Sequence, residues 1–304
     1  MGAGGVGGYF GGRLAASGAD VTFIARGAHL DALRREGLRI LSPLGDARVH
    51  PVKAVADPGE IGPVDMVWLA VKLWSTEEAV AALRPLVGPG TGIVPFQNGV
   101  EAVDIIARHY GEEHVMGGVA HIAALIEAPG VIRHNGTMAR LTFGELDGKP
   151  TPRAEALLSA CRQAGIDAAL SEDILRAVWM KFAFLVGLSG LTSLTRLPIG
   201  PVREDPDTRA LLLRVMQEAA AVGRARGVPL AQDAAEQQLA FADGLPREMI
   251  SSMLGDLRRG NRLELPWLSG AVVRLGKESG VPTPANEFIV AALKLHAEGA
   301  KESR

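Results

Sequence analysis

Cysteine is almost absent from this chain of 304 residues, in which Cys161 is the only one. An intrachain disulfide is therefore impossible, and a cysteine-rich metal site is excluded. The seven histidines show no metal-ligand spacing either. An excess of one charge is also lacking, since the formal net charge is −2, so nothing suggests a polyanionic partner such as nucleic acid.

Membrane-spanning and secretory patterns are lacking as well. No uninterrupted apolar run approaches the roughly 20 residues that cross a bilayer, and the glycine-rich N-terminus has no basic-then-apolar signal pattern. Hydrophobic residues make up 47% of the chain and charged residues 22%, the balance of a soluble globular protein. A cytoplasmic enzyme with no membrane partner fits this balance, as do many other soluble proteins, and the length suits two domains.

The first half of the chain alternates short apolar runs with helical patterns. Residues 21–24, 66–71 and 92–96 are continuous apolar runs without alternation, which is typical of parallel strands covered on both faces. Helical patterns lie between them, at residues 28–37 and 76–86. This order predicts right-handed crossovers and an α/β fold with a doubly wound sheet.

The pattern changes in the second half. Strand-like runs at 131–134 and 138–143 flank Asn135-Gly136, which predicts a β-hairpin that ends the sheet. The remainder has helical periodicity, notably at 172–188, 207–226, 232–241 and 285–297. We therefore predict a Rossmann-type domain over residues 1–167 and an all-α domain over 168–304.

The chain opens on a glycine motif of the form GxGxxG, formed by Gly2, Gly4 and Gly7. In a Rossmann unit such glycines make a tight turn, bring the backbone close to a pyrophosphate and place a helix N-terminus behind it. The predicted dinucleotide-binding positions are Gly2, Gly4, Gly5, Val6 and Gly7. One strand should precede Gly2, where only Met1 stands; a misassigned start codon or a trimmed chain is the expected explanation.

The cofactor is predicted to be NADPH. NAD-binding units usually carry an acidic residue about 20 residues beyond the glycine motif, for the ribose 2′-hydroxyl. Here Arg26 ends the second strand, and a guanidinium matches a 2′-phosphate in charge and geometry. A solvated surface arginine is the alternative. Lys72 follows the run 66–71, at the end of a strand where ligands bind, and is a second candidate.

Together with this motif, several separated blocks resemble the ketopantoate reductase family, also called 2-dehydropantoate 2-reductase. The resemblance covers nearly the whole chain, and the order and spacing of the blocks make it specific. The blocks are the glycine motif with Arg26, Val71-Lys72, Gln97-Asn98-Gly99, Trp179-Met-Lys181-Phe with Leu191-Thr192, Ser251-Ser252-Met253 with Asp256 and Glu264, and Val281-Pro-Thr-Pro284 with Asn286.

The resemblance implies a role for each matching residue. Lys181 matches the general acid, and Asn98 matches a residue near the nicotinamide and the substrate. Ser252 matches a residue that binds the substrate carboxylate, and Glu264 a carboxylate that contacts the substrate and organises the site. The expected reaction is the NADPH-dependent reduction of 2-dehydropantoate to pantoate, a step of pantothenate biosynthesis. We expect its site in the cleft between the domains, and the oligomeric state stays open, a homodimer being one arrangement.

The chemistry gives an independent reason for these residue types. When hydride adds to a ketone carbon, negative charge builds on the oxygen, and an ammonium both stabilises that charge and donates a proton. Partial desolvation would make a lysine a better acid at neutral pH. Without the resemblance, Lys181 could equally reach from a helix into solvent, Ser252 could be a helix N-cap and Glu264 an ordinary surface residue.

Two positions depart from the family pattern. The family usually carries two asparagines, four residues apart, on the helix that follows the catalytic lysine, where this chain has Leu185 and Ser189. Leucine cannot hydrogen-bond, and Ser189 is shorter than asparagine but remains a predicted substrate-binding residue, so ketopantoate itself is in doubt. The alternatives are a paralogue that reduces another 2-oxo acid or ketone, a non-catalytic NADPH-binding sensor and an NAD-linked hydroxyacid dehydrogenase.

Overall fold

The computed structural model describes residues 1–300 and divides the chain into two compact units. The first contains Met1–Gln97 and Glu101–Ile174, and the second contains Asn98–Val100 and the chain from Leu175 onward. The division comes later than the predicted boundary at residue 167. The reason is that one further strand, Asp167–Leu170, pairs in parallel with a strand of the first unit.

The first unit is an α/β domain, as predicted. Its strands are β1 (Thr22–Ile24), β2 (Leu38–Leu41), β3 (Ala47–Val49), β4 (Lys53–Val55), β5 (Met66–Leu69), β6 (Gly92–Pro95), β7 (Met116–Ala128), β8 (Val131–Glu145) and β9 (Asp167–Leu170). Its helices are α1 (Gly5–Ala16), α2 (Gly27–Glu36), α3 (Thr76–Ala82), α4 (Ala102–Tyr110) and α5 (Pro152–Gln163). β1 pairs with β4 and β5 with β6, both in parallel, while β3, β2, β8 and β7 form a mixed sheet with β9 beside β8.

Met1 and Gly2 lie between β1 and β5, where a strand that precedes the glycine motif would run. The amide of Gly2 donates to the carbonyl of Ile24 at 3.1 Å, and the amide of Ala70 donates to the carbonyl of Met1 at 2.9 Å. The terminal amino group of Met1 donates to the carbonyl of Trp68 at 2.8 Å. These main-chain bonds connect the two parallel pairs, which otherwise stay separate sheets.

The hairpin predicted around Asn135-Gly136 is wrong. β8 runs through these residues without a break, and the turn comes earlier, at Pro129-Gly130, where β7 turns back into antiparallel β8. Ile122 pairs with Ala139 and Ala123 with Asn135, so residues 136–138 are extra residues on one strand and form a bulge. The positive φ that Asn-Gly favours is present, since φ of Gly136 is +74°, but it serves the bulge rather than a turn.

The second unit is helical, as predicted. Its helices are α6 (Ile174–Thr195), α7 (Ile199–Glu204), α8 (Pro206–Ala225), α9 (Ala234–Asp243), α10 (Ser252–Arg258), α11 (Ser269–Ser279) and α12 (Pro284–Leu293). Two of them are capped by acidic or hydroxyl side chains: Asp205 accepts from the first turn of α8, and Ser251 accepts from the amide of Leu254 in α10.

The long helix α6 is the scaffold of the second unit. It is the one helix of residues 1–300 that is long and apolar enough to cross a membrane by length and composition, although Arg176 and Lys181 interrupt its apolar run. Most of it is buried inside the protein, as in the core helix of a soluble protein. Phe182, Val186 and Leu191 are almost fully buried, whereas Lys181 and Leu185 stay partly exposed on one side.

Candidate active site

The glycine motif forms a loop that leads directly into α1. Gly2 has a φ of +91°, and a Cβ at this position would lie 2.8 Å from the carbonyl carbon of Ala70. A Cβ on Gly5 would lie 2.1 Å from the carbonyl oxygen of Ala124, so β7 is also in close contact with the backbone of the loop. Gly4, in contrast, faces open space, with nothing within 4 Å of a Cβ. The loop thus offers a bare backbone surface and the unpaired first amides of a helix, which fits a pyrophosphate.

Arg26 is exposed and forms an ion pair with Glu78. Its Nη2 lies 2.8 Å from the Glu78 Oε1, and the two side chains are 72% and 65% exposed. Arg26 ends the strand-to-helix turn as the N-cap residue of α2, and Glu78 lies in the first turn of α3. An exposed pair of this kind contributes little to stability, so an anionic ligand can replace the carboxylate.

Lys72 is exposed in the segment that follows β5, with its Nζ 5.6 Å from the ring centroid of Trp74. The segment is held by the buried side chain of Gln97. The Nε2 of Gln97 donates to the carbonyl of Val71 at 2.8 Å and to the Oγ1 of Thr76 at 2.9 Å. These bonds connect the end of β6 to the loop that carries Lys72.

In the second unit, Lys181 and Asn98 are in direct contact. The Nζ of Lys181 donates to the Oδ1 of Asn98 at 3.1 Å, so α6 meets the short segment Asn98–Val100. Burial lowers the pKa of Lys181 to about 8, although the nearby carboxylate of Glu264 acts to raise it. A lysine whose pKa is about 8 stays largely protonated at neutral pH and still gives up its proton readily.

Glu264 is 6% exposed and immediately precedes a 3₁₀ turn, Leu265–Trp267. The alternative of an ordinary surface residue is therefore wrong. Its carboxylate interacts electrostatically with Lys181 and acts to raise the pKa of that lysine. The cluster of interacting side chains thus contains an ammonium, a carboxylate and an amide, which can hold and deliver a proton.

Leu185 follows Lys181 by one helical turn, on the same side of α6. It is partly exposed, whereas Ser189, a further turn along, is only 3% exposed. The accessible position beside the lysine is therefore aliphatic, and the serine hydroxyl lies deeper in the unit.

The two serines before Met253 have different environments. Ser251, not Ser252, is the N-cap of α10, which corrects the alternative reading of Ser252. Ser251 is buried and its Oγ lies 2.8 Å from the Oγ1 of Thr192 on α6. Ser252 is the first residue of α10 and is exposed, so its hydroxyl is accessible to a ligand.

Sequence reasoning missed Glu78 as the partner of Arg26 and Gln97 as the residue that holds the Lys72 segment. Both contacts join residues far apart in the chain, 52 positions for the ion pair and 26 for the bond to Val71. The only pattern in the sequence that includes either residue is the Gln97-Asn98-Gly99 block, and it predicted a role for Asn98 and none for Gln97.

Two family models and several related proteins match most of this chain. The model described as ketopantoate reductase PanE/ApbA matches residues 1–148, and its C-terminal counterpart matches residues 173–297. A 2-dehydropantoate 2-reductase of Mesorhizobium japonicum is 34% identical, with 97% of this chain and 95% of the relative covered. These matches extend over both units.

Solved structures give the same result. A 2-dehydropantoate 2-reductase from Geobacter metallireducens has a TM-score of 0.89 at 32% identity, with 97% of this chain and 98% of that chain covered. A D-mandelate dehydrogenase solved with NADH and anilino(oxo)acetate has a TM-score of 0.86, covering 97% of this chain and 96% of that one, and at 21% identity it shares the fold alone. The chain therefore belongs to the ketopantoate reductase family, whose members are oxidoreductases.

Proposed function

We propose that this chain reduces a 2-oxo acid to a 2-hydroxy acid with NADPH, and that Lys181 is the general acid. The observation that carries the proposal is the contact of 3.1 Å between Lys181 and Asn98, at a lysine whose pKa is lowered to about 8 beside Glu264. Perturbed titratable groups in such a cluster are typical of catalytic sites.

The reduced nicotinamide supplies a hydride to the carbonyl carbon of the substrate. The protein must then stabilise the charge that develops on the carbonyl oxygen and deliver a proton to it. The Lys181 ammonium stabilises this charge and donates the proton. Asn98 accepts one hydrogen of the ammonium and so determines the position of the Nζ. Glu264 keeps the lysine protonated by raising its pKa against the effect of burial.

The cofactor side of the proposal rests on the glycine loop, Arg26 and Lys72. Gly2, Gly4, Gly5, Val6 and Gly7 would hold the pyrophosphate, because bulkier side chains do not fit at Gly2 and Gly5 and the position of Gly4 is open. Arg26 would bind the 2′-phosphate in exchange for the carboxylate of Glu78. Lys72, exposed at the end of β5, would add a second positive charge.

For the substrate, the exposed hydroxyl of Ser252 would donate to the carboxylate, and Asn98 would donate through its amide. Leu185 favours a second candidate within this reaction class, a 2-oxo acid other than ketopantoate with a less polar tail. A polar group desolvated against leucine costs about 1–3 kcal/mol, whereas an apolar group there gains from burial. Ser189 is too deeply buried to replace the missing amide directly.

The oxidation of NADPH and NADH, followed side by side with ketopantoate and with aliphatic and aromatic 2-oxo acids, tests the proposal. We expect turnover with NADPH and a higher kcat/KM for an apolar tail than for ketopantoate. Binding of NADPH without turnover of any 2-oxo acid would identify a sensor instead. A preference for NADH would contradict the assignment of Arg26.

A further inference from the structure

The imidazole of His29 bridges two backbone groups of the first unit. His29 lies in the first turn of α2 and is partly buried. Its Nε2 is 2.9 Å from the carbonyl oxygen of Ala3, and its Nδ1 is 3.1 Å from the amide nitrogen of Gly130. The side chain therefore joins the glycine loop to the turn between β7 and β8.

These two partners determine the protonation state of His29. A carbonyl oxygen can only accept, so Nε2 must carry a hydrogen; a backbone amide can only donate, so Nδ1 must offer its lone pair. The ring is thus the neutral tautomer with the hydrogen on Nε2. Burial lowers the pKa of His29, more than the bond to Ala3 raises it, and this favours the same neutral form.

The turn at Gly130 is itself firmly held. The Gly130 carbonyl accepts from the amide of Arg39 in β2 at 2.9 Å, and a Cβ on Gly130 would lie 3.2 Å from the Cβ of Ala32. The other partner, Ala3, is 6% exposed and stands between Gly2 and Gly4 in the glycine loop. His29 thus holds a loop of bare backbone against a fixed part of the sheet.

We propose that His29 is a positioning residue that keeps the glycine loop in its dinucleotide-binding conformation by donating to the carbonyl of Ala3. The inference rests on the proposed function in one respect, that this loop binds the nicotinamide dinucleotide. His29 makes no contact with the reacting atoms. Loss of the bond from His29 leaves the buried carbonyl of Ala3 without this partner, which costs free energy. The loop lowers this cost by moving away from the conformation that binds the pyrophosphate.

Two variants separate the halves of the bridge. In His29→Gln the amide nitrogen takes the place of Nε2 and still donates to Ala3, while in His29→Asn the amide oxygen takes the place of Nδ1 and accepts only from Gly130. His114→Ala is a matched control, because it removes a bond of 2.9 Å to the carbonyl of Thr91, which precedes β6. The full-length proteins would be titrated with NADP⁺ at pH 8 by calorimetry, with kcat measured at saturating NADPH.

We expect His29→Asn to weaken NADP⁺ binding about tenfold, and His29→Gln and His114→Ala to stay within about twofold of the wild type. At saturating cofactor, kcat should be similar in all four proteins. A selective loss in His29→Asn that His29→Gln restores assigns the effect to the bond with Ala3.

Equal NADP⁺ affinities of the wild type, His29→Asn and His114→Ala would overturn the inference while leaving the proposed function in place. A loss in His29→Gln as large as that in His29→Asn would also overturn it. If the wild type binds neither NADP⁺ nor NAD⁺ at pH 8, the proposed function fails, and the inference fails with it.

Discussion

The Nζ of Lys181 donates to the Oδ1 of Asn98 at 3.1 Å, and this bond connects the core helix α6 to the three-residue segment that follows the end of β6 and Gln97. Because the amide oxygen accepts one hydrogen of the ammonium, the remaining hydrogens of Lys181 have defined directions. A carbonyl oxygen placed among them meets a charged donor without further rearrangement of the side chain, which is the preorganisation that proton transfer requires.

The pH dependence follows from the pKa of about 8 at Lys181. A general acid must be protonated before it donates, so kcat/KM for the 2-oxo acid should decline by about tenfold per pH unit above this pKa. Below it the lysine should impose no decline. The profile would be measured with NADPH saturating; an alkaline limb that begins above pH 10, the range of an unperturbed lysine, would contradict the lowered pKa of Lys181.

Glu264→Gln should move this alkaline limb to lower pH. The carboxylate of Glu264 raises the pKa of Lys181, so its replacement by a neutral amide of the same shape lowers that pKa further below the ordinary value. The shift distinguishes an electrostatic role of Glu264 from a merely structural one. An unchanged or more alkaline limb in the variant would contradict the proposed pairing.

Arg26→Ala should weaken NADPH binding by about tenfold or more, since a charge-assisted contact with the 2′-phosphate is lost, and should leave NADH binding almost unchanged. Glu78→Gln should act in the opposite direction for NADPH, because it removes the carboxylate that competes for the guanidinium. Dissociation constants for both cofactors measure these effects.

Arg108→Ala is the matched control for this pair of variants, because Arg108 forms an equally short and similarly exposed ion pair with Glu77. Arg108→Ala should leave the dissociation constants of both NADPH and NADH unchanged. Equal losses of NADPH and NADH affinity in Arg26→Ala would remove the assignment of the 2′-phosphate to this residue.

Leu185→Asn should raise kcat/KM for ketopantoate and lower it for 2-oxo acids with aliphatic or aromatic tails. The new amide would pair with a polar group that leucine leaves desolvated, a difference of about 1–3 kcal/mol, or roughly 5- to 150-fold. Leu194→Asn, also at a partly buried position of α6, controls for the loss of an apolar side chain. A wild type that already prefers ketopantoate over every other 2-oxo acid would contradict this prediction.

Much of the fold could be predicted because its signals are local. The apolar run at 21–24 predicts β1, and helical periodicity at 207–226 predicts α8, since both patterns depend on residues near in sequence. The prediction from Asn135-Gly136 was wrong for the same reason. The pair favours a positive φ, and the local sequence does not determine whether that φ belongs to a turn or to a bulge. The extra strand β9 was missed because its partner β8 determines where it lies.

The candidate site shows the same limit. Arg26 could be selected from its place at a strand end, but the carboxylate of Glu78 beside it belongs to another helix and left no pattern in the sequence. Likewise, Ser251 and Ser252 are neighbours of one type, and only the backbone of α10 determines which of them caps the helix and which is exposed. Contacts between distant segments distinguish these residues, and they exist only once the chain has folded.

The turnover of Lys181→Ala with NADPH and the best 2-oxo acid tests most directly whether Lys181 protonates the substrate while hydride is transferred. Lys277→Ala, which changes an exposed lysine of α11, is the control. We predict a loss of about 100-fold or more in kcat, the usual scale for a missing general acid, with the dissociation constant of NADPH nearly unchanged and the control at wild-type activity. Turnover of Lys181→Ala close to that of the wild type would contradict the account and require another proton donor.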